Sequence, residues 1–139
     1  MNLGVLALQG GYAAHSTMLR SLGHRVTEVR KASQLSPLDG LVFPGGESTT
    51  LSRLMSNYDL REPITKMAMQ GVAIWGTCAG MIMLSQEITE QDPVPLGIMD
   101  IGVQRNAFGR QVDSFEQTLE ISVLGADPYH ALFIRAPVI

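Results

Sequence analysis

The sequence predicts an α/β fold with a mostly parallel central sheet, and three observations carry that prediction. Short apolar runs recur along the first half of the chain, and most of them are closed by glycine. The segments between them show apolar residues at helical spacing. Strand-like and helix-like segments alternate in order, the pattern that builds a parallel sheet with helices on both faces.

In chain order, Leu3 to Leu8 is a continuously apolar run closed by Gln9-Gly10-Gly11, and reads as a strand buried on both faces. Tyr12 to Leu22 reads as a helix from Met18, Leu19 and Leu22, with Gly23 placed as a carboxyl-terminal cap. Arg25 to Val29 alternates as a strand does. Gly40 to Phe43 is a further apolar run, stopped by Pro44-Gly45-Gly46. Ser48 or Thr49 is positioned to cap a helix through about Met55, and Glu62-Pro63 to open another through Gln70. Val72 to Trp75 is the fourth strand. After Ile88 the pattern changes: residues 91–95 read as a loop, and Gln117 to Val123 and Ala131 to Ile134 read as strands of a β-rich second half.

Composition narrows the function. A chain of 139 residues, 45% hydrophobic and 17% charged, has the balance of one compact domain, residues 1–139. A formal charge of −3 with scattered Lys and Arg offers no basic field for a nucleic acid. No apolar run approaches the roughly 18 residues that span a bilayer. The single cysteine forms no internal disulfide and the amino terminus lacks signal-peptide features, so the expected compartment is the cytoplasm.

The strongest chemical signal is Gly76-Thr77-Cys78-Ala79-Gly80, between the run ending at Trp75 and the apolar segment Met81 to Leu84. A nucleophile on a tight strand-to-helix turn is lifted out of the sheet, and small flanking residues let the backbone make the turn while substrate approaches. Cys78 is the expected nucleophile. The helix starting there would favour its thiolate, and the Ala79 N–H would face a developing oxyanion. A lone cysteine in apolar surroundings is ordinarily a buried structural residue, but the Gly-x-Cys-x-Gly frame reverses that preference. Phe43-Pro44-Gly45-Gly46-Glu47-Ser48 ends another strand, and ligands of open α/β sheets gather outside the strands' carboxyl ends. Gly46 is therefore a second candidate oxyanion donor, and Glu47 a candidate ligand for a cationic group.

These blocks, with Gly4-Val5-Leu6-Ala7-Leu8-Gln9-Gly10, Glu47-Ser48-Thr49-Thr50, Arg105-Asn106-Ala107-Phe108-Gly109-Arg110-Gln111, Ser114-Phe115-Glu116 and Phe133-Ile134-Arg135-Ala136-Pro137, resemble the glutaminase subunits of pyridoxal 5'-phosphate synthase, a family of class I glutamine amidotransferases. The resemblance covers essentially the whole chain. It implies the three-layer, flavodoxin-like class I amidotransferase fold, a glutamyl thioester on Cys78, and a glutamine site lined by Gly46, Glu47, Ser48, Arg105, Ile134 and Arg135. A physical reading agrees, because a carboxylate suits the ammonium of free glutamine and an arginine its carboxylate. The resemblance further implies a (β/α)8-barrel synthase subunit as partner, L-glutamine as substrate, and no metal or cofactor.

The family's base and its orienting group come from a His-x-Glu segment, and nothing in this sequence matches it. His15, His24 and His130 read as surface or capping residues. Ala14 stands where the family often has Glu. The expectation is a carboxyl-terminally shortened form with some apolar surface left open. Two alternatives stand beside the glutaminase reading: an inert form that only binds glutamine or the synthase, and an amidotransferase of a histidine, purine or pyrimidine pathway.

Overall fold

The computed structural model describes residues 1–105, 115–134 and 136–139. Four parallel strands form the central sheet: β1 (Asn2–Leu6), β2 (Arg25–Val29), β3 (Gly40–Phe43) and β4 (Ala73–Gly76), in the spatial order β2-β1-β3-β4. Register is continuous, with Leu3 opposite Val26 and Gly40, and Phe43 opposite Gly76. The chain moves outward from β1 to β2 and then returns past β1 to β3. That reversal puts a crevice at the carboxyl ends of β1 and β3, where ligands of such sheets bind.

Leu41, Val42 and Phe43 are all buried, so β3 is covered on both faces, as its unbroken apolar sequence requires. Helix α2 (Ser48–Asn57) adds Leu51 and Met55 to the core, α3 (Arg61–Met69) adds Ile64 and Met67, and α4 (Ala79–Leu84) adds Met83 and Leu84. Helix α1 (Tyr12–Ser21) behaves differently from its sequence pattern. Met18 and Leu22 are mostly exposed, as is Trp75 on the edge strand β4, and together with Ala14 and Leu19 they line an apolar hollow of about 420 Å³. The apolar stripe that marks the helix in the sequence borders Trp75 at the edge of the sheet, which no described residue covers.

Gly23 follows α1 at φ +83°, as its capping role predicts. The cap of α2 is not the expected Ser48 or Thr49. Glu47 is the N-cap, and its carboxylate accepts from the backbone N–H groups of Thr49 and Thr50. Serine and threonine are the commoner caps, but here the longer side chain reaches both donors with one oxygen each.

The second half is β-rich, with differences in detail. Strands β5 (Ser85–Ile88) and β6 (Met99–Val103) pair in parallel, and neither stands out in the sequence. Strands β7 (Phe115–Leu119) and β8 (Tyr129–Phe133) form an antiparallel ladder with the Phe115 and Phe133 rings stacked at 4.7 Å. The strand expected over Gln117 to Val123 stops at Leu119, where pairing with Tyr129 ends, and Ser122–Leu124 is a turn of 3-10 helix. Residues 91–95 are a loop, pinned by Arg61, whose guanidinium donates to the carbonyls of Val94 (2.9 Å) and Pro95 (2.8 Å) and to Ser52 Oγ (3.2 Å).

Candidate active site

β4 ends at Gly76, and two residues later Cys78 is the N-cap of α4, with φ 50° and ψ −109°. A residue with a Cβ is strained there, and such strain collects at functional sites. The turn is tied on each side: Thr77 N–H donates to Phe43 O (3.0 Å), Gly80 N–H to Thr77 O (2.9 Å), and Ile82 N–H to Cys78 O (3.1 Å). The thiol is exposed. The backbone N–H of Ala79 has no acceptor among the described residues, nor does that of Gly46. The helix behind Cys78 is six residues long, so its dipole is smaller than that of a full-length helix.

The loop after β3 closes on this elbow. A Cβ added at Gly45 would lie 3.5 Å from Cys78 Cβ. Gly46 has φ +155°, and a Cβ there would meet the Gln9 amide at 2.3 Å, so only glycine fits. A hollow of about 270 Å³ is lined by Gly46, Glu47, Ser48, Cys78, Ile82, Arg105 and Ile134. Five of the six predicted substrate-binding residues thus share a cavity with Cys78. Arg135, the sixth, and residues 106–114 of the Arg-Asn-Ala-Phe-Gly-Arg-Gln and Ser-Phe-Glu blocks lie outside the described residues.

This geometry has known counterparts. The sequence matches the SNO glutamine amidotransferase family over residues 5–139. The chain belongs to the SNO glutamine amidotransferase family. It is 54% identical to the pyridoxal 5'-phosphate synthase subunit PdxT of Herpetosiphon aurantiacus, over all of this chain and 75% of that protein. Against the PdxT of Moorella thermoacetica it is 52% identical, over all of this chain and 74% of that one. A crystal structure of a glutamine amidotransferase superposes with a TM-score of 0.88 at 46% identity, covering 98% of this chain and 72% of that one. A peptidase E protein of Listeria monocytogenes shares the fold alone, with a TM-score of 0.61 at 16% identity.

Arg105 is largely buried and bridges Glu47 and the 91–95 loop. One guanidinium nitrogen donates to Asp92 O in the 91–95 loop, and the other lies 3.6 Å from Glu47 Oε1. Glu47 is therefore not idle before a substrate arrives. Its Oε2 accepts from Thr50 N–H (2.6 Å) and Thr50 Oγ1 (2.8 Å), while Oε1 takes Thr49 N–H (3.0 Å) and faces Arg105. Partial burial opposes its ionisation, but the Thr50 hydroxyl and the Thr50 and Thr49 amides outweigh that and hold its pKa at about 2.

A carboxyl held below its unfolded value adds stability above pH about 4.5 and loses it as pH falls toward 2. Glu47→Gln is accordingly expected to be less stable than the parent by about 1 kcal/mol at pH 6, a capping-scale effect reduced by solvent screening. The gap should narrow steeply between pH 4.5 and pH 2.5 and close only below the folded pKa of about 2. Denaturant midpoints of both proteins at the two pH values check this, and a constant gap would assign the loss to shape rather than charge.

Other residues at the site went without a role in the sequence reading. Gln9 accepts the Glu47 N–H at Oε1 (3.0 Å), with its Nε2 buried and unpartnered among the described residues. Gly11 N–H donates to Gly45 O (2.9 Å). Gly10, at φ +75°, lies so close that an added Cβ would be 2.0 Å from Gly45 O. The available signal was Gly10-Gly11 directly after the first strand, at a topological switch point. His15, expected as a surface or capping residue, is half-buried with Nε2 3.2 Å from Thr77 Oγ1. His24 is also partly buried, whereas His130 is exposed and pairs with Glu116 at 3.0 Å.

Proposed function

We propose that this chain is a glutaminase subunit: it hydrolyses L-glutamine to glutamate and supplies the ammonia to a synthase subunit that makes pyridoxal 5'-phosphate. The relatives bear the name of that synthase's PdxT subunit. The observation that carries the reading is the exposed Cys78 at a strained elbow, opening on a hollow whose lining pairs a carboxylate with a guanidinium. Free glutamine is a zwitterion, and it enters by replacing the Glu47–Arg105 contact, its ammonium on Glu47 and its carboxylate on Arg105. Ser48 and Ile134 complete the wall, and Arg135 directly follows Ile134 in sequence.

Cys78 Sγ, as thiolate, attacks the side-chain amide carbon, and the carbonyl oxygen becomes an oxyanion that the Gly46 and Ala79 N–H groups stabilise. Collapse breaks the C–N bond, and the nitrogen leaves as ammonia after taking a proton. Water then cleaves the thioester to glutamate and restores the thiol. The synthase partner is a (β/α)8 barrel in this reading, and the complex is cytoplasmic. Docking keeps the ammonia from being lost to solvent as ammonium.

A second reading is favoured by one observation. Among the described residues lining the hollow there is no histidine to take the thiol proton. In that reading the chain binds glutamine or the synthase without turnover. Two measurements separate the possibilities. A glutamine-like electrophile should label Cys78 stoichiometrically, with protection by L-glutamine; a folded sample that resists labelling would overturn the site. Ammonia release in the presence of the synthase then supports turnover, while binding without release favours the inert form.

A further inference from the structure

His15 is a partly buried side chain that the reaction above does not use, yet it touches the strand that carries the nucleophile at two points. Its Nε2 lies 3.2 Å from Thr77 Oγ1, immediately before Cys78, and its ring meets Trp75 edge-on at 5.8 Å between centroids and 83° between planes. Thr77 Oγ1 is in turn 3.5 Å from Phe43 O, the carbonyl that also accepts Thr77 N–H at 3.0 Å. A carbonyl only accepts, so when the Thr77 hydroxyl donates to Phe43 its lone pair receives the proton of the Nε2–H tautomer of His15. Burial lowers the pKa of His15 and so favours its neutral ring. Four residues earlier, Gly11 N–H holds Gly45 O. One turn of α1 therefore grips both loops of the site, the elbow through Thr77 and the Gly45-Gly46 loop through Gly11.

We propose that His15 is a positioning residue for the nucleophile elbow: through Thr77 it locks the carboxyl end of β4 to that of β3, and so sets Cys78 against the Gly46 amide. The consequence for glutamine chemistry rests on the function proposed above; the mechanical linkage does not. His15 does not touch the reacting atoms.

The test uses the intact chain with His15→Phe, which keeps a ring against Trp75 but has no donor, His15→Gln, which restores an N–H at similar reach, and Thr77→Val. Hydrogen exchange of the Thr77 and Gly80 amides should rise about five- to tenfold in His15→Phe and Thr77→Val, the loss of one hydrogen bond, with the amides of β1 unchanged. His15→Gln should recover most of that protection. Alkylation of Cys78 by a glutamine-like electrophile should slow by a similar factor in the first two variants, while alkylation by iodoacetamide, which needs no oxyanion site, changes less than twofold. The double variant should lose no more than either single one. Unchanged exchange at Thr77 and Gly80 in His15→Phe, or an equal rise throughout the sheet, would overturn the proposal. Parent protein that takes iodoacetamide but not the glutamine-like reagent would instead sink the glutaminase reading, and the exchange comparison would still decide the role of His15.

Discussion

Cys78→Gly is expected to be more stable than the parent by about 1 kcal/mol and to lose all labelling by a glutamine-like electrophile. Any ammonia release that depends on the thiol should fall by about 10⁴-fold or more, the scale of removing a nucleophile. The stability gain comes from the backbone. At φ 50° and ψ −109°, a residue with a Cβ carries about 1–3 kcal/mol of strain that glycine does not. Glycine also has more freedom in the unfolded chain, which returns about 0.5–1 kcal/mol of the gain. Because the side chain is exposed, its deletion removes little packing. Cys78→Ala is the control: it loses the same chemistry but keeps the strain, so its stability should stay near the parent's. Urea midpoints for the three proteins check the order, with the m-value constant. A glycine variant less stable than the alanine variant would mean that the turn is held without strain.

The Cys78 elbow was legible because its requirements are local. Glycines on both sides of a lone cysteine, between two apolar runs, leave few other meanings, and the central strands were legible for a similar reason, since strands buried on both faces have unbroken apolar sequences. β5 was illegible because Ser-Gln-Glu-Ile neither alternates nor forms an apolar run. Its pairing with β6 is a tertiary fact.

What escaped at the site was pairing across long separations. That Glu47 would face Arg105, 58 positions away, is not encoded in either neighbourhood. His15 looked like one of three ordinary histidines because its partner Thr77 lies 62 residues on. Met18 and Leu22 carried only half of their information: helical spacing identified the helix but not whether its apolar stripe would be covered. Periodicity reports a face, and only the packing reports what meets it.

Gly80→Ala should reverse the usual sign of a glycine-to-alanine change in a helix. In an open helix interior alanine is favoured by about 1 kcal/mol. Here an added Cβ would lie 2.2 Å from Phe43 O and 2.8 Å from Phe43 C, both backbone atoms of a strand buried in the sheet. A flexible side chain could move aside, but β3 is paired on both edges and covered on both faces. The expected outcome is a destabilisation of about 3 kcal/mol, at the upper end of overpacking costs. Relief can come only by pushing α4 away from β3, which moves Cys78 from the Gly45-Gly46 loop, so labelling by the glutamine-like reagent should fall at least tenfold in whatever fraction remains folded. Gly102 in β6 has no atom within 4 Å of an added Cβ, and Gly102→Ala should stay within about 0.5 kcal/mol of the parent. If Gly80→Ala proved as mild as Gly102→Ala, the close approach of α4 to β3 would be slack rather than a constraint. The position of Cys78 would then have to be set from the other side of the turn, through Thr77.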